Sequence, residues 1–81
     1  MRIEILYFAQ AREAAGRPAE PLDVTEGATV NELRATLCAR HPRLAGLPPE
    51  TRFAVGERFA SESHRLEDGD VVALIPPVSG G

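Results

Sequence analysis

The chain of 81 residues, 43% hydrophobic and 26% charged, is long enough for one small folded domain and too short for an enzyme with a deep cleft of its own. A net charge of −3 with a pI near 5.3 excludes a surface that tracks nucleic-acid phosphates, which needs clustered Lys and Arg. No stretch approaches the roughly 20 apolar residues that span a membrane, so no membrane partner and a cytoplasmic protein are expected.

Residues Ile3 to Phe8 read as a first strand with Ile3, Ile5 and Tyr7 on one face. The other face carries Leu6 and Phe8, an unusually apolar pair for a surface meant for water. Ala9 to Ala15 are strong helix formers closed by Gly16, a residue suited to the left-handed position after a helix, which predicts one or two turns. A second strand is expected over Leu22-Asp23-Val24, after Pro18 and Pro21, with a turn at Glu26-Gly27.

The main helix starts at Thr29. Thr29 and Glu32 have the spacing of a capping box, in which each side chain satisfies an orphan N–H of the first turn. Val30, Leu33 and Leu37 recur at one helical face, with Arg34 and Arg40 off it. Pro42 disfavours helical geometry at His41 and ends the helix there. Cys38 falls inside this helix and reads as a small buried hydrophobe; a single cysteine allows no internal disulfide, and nothing has the spacing of a zinc site, so no metal is expected. His41 is expected to cap the helix C-terminus, and His64 lies in a polar loop; two isolated histidines offer no catalytic constellation.

Leu44 to Glu50 is an irregular connector with Gly46, Pro48 and Pro49. Phe53-Ala54-Val55 and Arg58-Phe59-Ala60 flank Gly56-Glu57, and a Gly-X loop predicts a type II′ hairpin. Glu67-Asp68-Gly69-Asp70 forms a further turn. Val71 to Ile75 is the last strand, and its continuous apolar character predicts a central position covered at least partly on both sides. The element order predicts an α+β domain: a mixed sheet of four or five strands with one main helix on one face.

Pro76 and Pro77 cannot donate ladder hydrogen bonds, so pairing stops there and the chain leaves the sheet. The domain is therefore expected over residues 1–77, with a flexible tail over 78–81. Five residues from Pro77 to Gly81 reach roughly 15 to 17 Å. The tail ends in Gly80-Gly81: without Cβ atoms it is the thinnest possible peptide, fit to thread a narrow channel in another protein. Its carboxylate, a poor electrophile when free, becomes reactive once adenylated. A chance pair of glycines does not account for the strand and prolines that aim it. All nine basic residues are arginine; codon composition explains this, as does the advantage of having no ε-amine for an activated C-terminus to acylate.

Three segments together, Phe8-Ala9-Gln10-Ala11-Arg12-Glu13-Ala14-Ala15-Gly16, Leu66-Glu67-Asp68-Gly69-Asp70-Val71 and Pro76-Pro77-Val78-Ser79-Gly80-Gly81, resemble the small subunit of molybdopterin synthase, the MoaD family of ubiquitin-like β-grasp sulfur carriers. The resemblance spans essentially the whole chain. The D-G-D turn is common to many β-grasp domains; F-A-x-x-R-E with P-P-V-S-G-G is far more specific. Gly56-Glu57 departs from the family, whose members commonly carry an asparagine before the hairpin partner.

The resemblance implies two partners. An E1-like adenylyltransferase, using ATP and magnesium, adenylates Gly81, and persulfide-derived sulfur then displaces AMP to leave a thiocarboxylate. The tail next enters the large synthase subunit, in a heterotetramer of two small and two large subunits. There the sulfur attacks carbons of cyclic pyranopterin monophosphate to build the dithiolene of the molybdenum cofactor. The catalytic pocket belongs to the large subunit, and this chain binds no cofactor. Gly81 carries the chemistry and Gly80 threads the channel. Phe8, Phe59, Ile75, Pro76, Pro77, Val78 and Ser79 are the expected partner contacts, with Phe8, Phe59 and Ile75 forming an outward apolar patch unless strand parity turns some of them into the core. Arg12 and Glu13 read as local surface charges. Three other readings stand beside this one: a sulfur carrier for thiamin synthesis or another thiolation pathway, a ubiquitin-like modifier that joins target lysines, and a plain binding module.

Overall fold

The computed structural model describes residues 1–77; Val78, Ser79, Gly80 and Gly81 lie outside the described residues. In chain order the elements are β1 (Arg2–Tyr7), α1 (Ala9–Ala15), β2 (Ala19–Asp23), α2 (Val30–Arg40), a 3-10 turn (Pro42–Gly46), β3 (Arg52–Val55), β4 (Arg58–Phe59) and β5 (Val71–Ile75). The sheet has five strands in the order β2-β1-β5-β3-β4. β1 and β5 run parallel; the other neighbours are antiparallel. This is the mixed sheet expected from the sequence, with β5 at its centre.

Helix α2 forms where its caps place it. Thr29 and Glu32 make both hydrogen bonds of the capping box, and Val30, Leu33 and Leu37 are each 1% exposed. They join Ile3, Ile5, Tyr7, Val72 and Leu74 in a single core cluster, so the expected stripe does face the sheet. Replacing Leu37 by alanine should therefore cost about 2 to 5 kcal/mol, the range for a large buried aliphatic cut back to a methyl. Denaturant unfolding measures it, and a loss below about 0.5 kcal/mol would contradict the packing. Cys38 is half-buried at the margin of this core rather than inside it.

Several boundaries differ from the sequence expectation. Phe8 is not the last residue of β1 but the N-cap of α1, because the chain turns sharply at Ala9, whose φ is +47°. β2 starts at Ala19, earlier than Leu22, and passes through Pro21. An edge strand tolerates this because half its N–H groups have no ladder partner to lose. The connector after α2 begins as a 3-10 turn that buries Leu44. The β3–β4 turn has positive φ at both Gly56 (+58°) and Glu57 (+69°), which is the type I′ geometry and not type II′. Type I′ matches the strand twist, and it holds Glu57 in the left-handed region, which is costly for a residue with a Cβ.

β5 is central, but only one of its faces is closed. Val72 and Leu74 are buried at 0% and 3% exposure, whereas Val71 is 44% exposed and Ala73 and Ile75 are half-buried. Among the described residues no helix covers that second face, and the strand ends at Ile75, directly before Pro76 and Pro77.

Candidate functional site

The register of the sheet builds a continuous apolar row on the face opposite α2. Leu6 pairs with Ala73, Ala73 with Ala54, and Ala54 with Phe59, so four strands contribute one side chain each. Ile75 lies in the next row, opposite Arg52, and Phe8 follows at the end of β1. These residues, with Val71 and Glu57, line a shallow groove of about 350 Å³. Phe59 is 55% exposed and Phe8 48%. The expected patch of Phe8, Phe59 and Ile75 is thus brought together, though not as three neighbouring strands: β3 lies between β4 and β5, and its small Ala54 leaves room for the groove. A contiguous exposed apolar surface is what interaction sites use, and this face is the candidate site.

The tail root sits at the edge of the same face. Pro76 is buried and Pro77 exposed. The expected roles of Val78, Ser79, Gly80 and Gly81 fall on residues outside the described ones. Among the described residues no cluster of His, Cys, Asp and Glu could hold a metal ion, and no helix is long and apolar enough to cross a membrane.

Beneath the other face lies a charged group that the sequence reading missed. Glu20 is 1% exposed, because its position in β2 opposite Ile5 points it into the core. Its carboxylate accepts the Tyr7 hydroxyl at 2.8 Å and Arg40 Nε at 2.6 Å, and it contacts His41 Nε2 at 2.5 Å, with Arg17 3.8 Å away. Burial raises the carboxyl pKa, but hydrogen bonds from His41, Tyr7 and Arg40 outweigh it and hold it down at about 2. Tyr7 is pushed above its ordinary value, first by burial and then by its bond to Glu20. His41 therefore stands at the C-cap of α2 as expected, yet its ring serves Glu20 rather than the helix carbonyls. The cluster ties β1, β2 and the end of α2 together, one residue before Phe8. No signal in the linear sequence joins Glu20 to Tyr7, Arg40 and His41, since only the strand register brings them together.

A family model described as the ThiS family matches residues 5–81. The chain belongs to the ThiS family. Among curated relatives, the molybdopterin synthase sulfur carrier subunit of Chlamydomonas reinhardtii is 39% identical over 83 aligned positions, covering all of both chains. Among solved structures, a Pyrococcus furiosus protein assigned as molybdopterin converting factor subunit 1 superposes with a TM-score of 0.89 at 31% identity, covering 96% of this chain and 99% of that one. SAMP1 from Haloferax volcanii, a small archaeal modifier protein, superposes with a TM-score of 0.90 at 30% identity and full coverage of both chains. The fold of this ThiS-family chain is the ubiquitin-like β-grasp, as the motifs around Phe8, Gly69 and Gly81 implied.

Proposed function

We propose that this chain is the sulfur-carrier small subunit of molybdopterin synthase, acting in the cytoplasm. The observation that carries the reading is the continuity of the open apolar face with the end of β5. A partner seated on Phe8, Phe59 and Ile75 stands where Pro76 and Pro77 hand the chain over to its last four residues. The choice of pathway over thiamin synthesis or other thiolations rests on the 39% identity to a molybdopterin synthase sulfur carrier subunit across the whole of both chains.

In this reading an E1-like adenylyltransferase joins the Gly81 carboxylate to the α-phosphate of ATP, with magnesium, releasing pyrophosphate. A persulfide-derived sulfur nucleophile attacks the acyl carbon, the acyl–phosphate bond breaks and AMP leaves. Once the persulfide bond is reduced by a thiol, a C-terminal thiocarboxylate remains. The large synthase subunit then receives the tail, and the thiocarboxylate sulfur attacks cyclic pyranopterin monophosphate. The acid–base groups and the pocket for that step belong to the large subunit, in an assembly of two small and two large subunits. Because both partners need the same tail, and the same apolar face supports it, they bind in turn.

Intact mass after co-expression with the activating enzyme tests the reading: one oxygen replaced by one sulfur is the expected result. Likeness to SAMP1 favours a second reading, a protein modifier, in which the mass of this chain appears on other proteins instead. The face has its own test. Charge substitution at Phe59 or Phe8 should weaken association with the large subunit by about 30-fold or more, as for central anchors of an interface, and leave thermal unfolding nearly unchanged because both side chains are half exposed. Unfolded variants would move these residues into the core; normal binding would move the interface elsewhere.

A further inference from the structure

The apolar face has a built-in direction. Hydrophobic burial is non-directional, so Phe8, Phe59 and Ile75 alone would not decide which way round a partner sits. Charge does. Arg52 opens β3 opposite Ile75, at the end of the face where the tail begins. Glu4, opposite Val71, and Glu57, in the turn that closes β3, mark the other end.

Arg52 is also held in an unusual way. Its guanidinium carbon lies 3.6 Å from the centroid of the Phe59 ring, a van der Waals separation that requires the flat cation to rest face-on against the ring. Stacking occupies the broad face of the guanidinium and leaves its N–H groups directed outward in its own plane. No ion pair among the described residues engages them. A partner that covers Phe59 and Ile75 also covers these donors, and a guanidinium desolvated without an acceptor is strongly unfavourable.

Building on the function proposed above, we infer that Arg52 is a specificity-determining residue: a carboxylate of the large synthase subunit takes its in-plane N–H donors while Phe59 holds the guanidinium from behind. The pair fixes the seating so that the end of β5, with Pro76 and Pro77, is presented to the partner in one orientation. Arg, not Lys, suits the role, because only a planar fork can stack on a ring and grip a carboxylate at once.

The test measures dissociation constants between the full-length carrier and the large synthase subunit at low and high salt, for wild type, Arg52→Met, Arg52→Lys and Arg52→Glu. Arg52→Met keeps an apolar cover on Phe59 and removes the charge; it should weaken binding at least tenfold and flatten the salt dependence. Arg52→Lys should recover part of the loss, and Arg52→Glu should bind more weakly than Arg52→Met. Thermal unfolding should be alike in all four, since Arg52 is exposed. A loss under tenfold for Arg52→Met, or equal losses for Arg52→Met and Arg52→Lys, overturns the inference. Wild-type protein that fails to bind the large subunit overturns instead the reading on which it rests.

Discussion

Deleting Gly81, or appending one residue after it, is expected to abolish sulfur loading while leaving the fold as stable as before. In the carrier reading proposed above, the acyl carbon presented to the adenylyltransferase is that of Gly81, and a displacement of one residue, about 3.3 to 3.6 Å, moves it out of attacking distance. Stability should be indifferent, because the core cluster among the described residues is already complete between Ile3 and Leu74. On the same reading, a bulky residue in place of Gly80 should act in the same way for a steric reason: its Cβ would have to pass the narrow channel that reading requires, and any positive φ needed there becomes costly. Thiocarboxylate formation by intact mass, followed by turnover of the pterin precursor in the reconstituted synthase, measures both. A chain without Gly81 that still acquires sulfur and supports turnover would falsify the carrier reading.

The second large effect belongs to Glu20. Glu20→Gln keeps the shape of the side chain and removes its charge, leaving Arg40 without its buried counter-ion. With Arg40 half exposed and able to rehydrate, the expected cost is about 3 kcal/mol, at the lower end for breaking a buried pair. For a domain of this size that lowers Tm by roughly 12 to 24 °C.

The pH dependence has a definite sign. The folded pKa of Glu20 is depressed from 4.5 to about 2, so its contribution is complete above pH 4.5 and is lost as the pH falls from there toward 2. Tyr7 is shifted the opposite way, its folded pKa raised from 10.0, so stability should also decline above about pH 10. Thermal unfolding of wild type and Glu20→Gln from pH 7 to pH 2 checks the acid limb. The two should converge as Glu20 becomes protonated. Curves that differ by less than about 0.5 kcal/mol at pH 7 would show that the buried carboxylate contributes nothing net.

Much of this molecule is legible residue by residue because the determinants are local. The capping box of Thr29 and Glu32, the stripe of Val30, Leu33 and Leu37, the stop at Pro42 and the end of pairing before Pro76 each depend on a few neighbouring side chains. The terminal Gly80-Gly81 and the motif around Arg12 carried the family reading for the same reason.

What the local pattern leaves open is how strands meet. Alternation put Leu6 and Phe8 away from Ile3, Ile5 and Tyr7, while the continuous apolar run of β5 gave no parity and read as a strand covered at least partly on both sides. Only the tertiary arrangement, with its helix on one side of the sheet, left the other face open. The type I′ turn at Gly56-Glu57 was likewise set by the twist of β3 against β4 and overrode the preference of a Gly-X dipeptide. The stacking of Arg52 on Phe59 and the burial of Glu20 among Tyr7, Arg40 and His41 join residues far apart in the chain. Such contacts depend on register, and register is decided by the whole sheet closing over one core, because a slip of one residue would turn every buried side chain out to solvent.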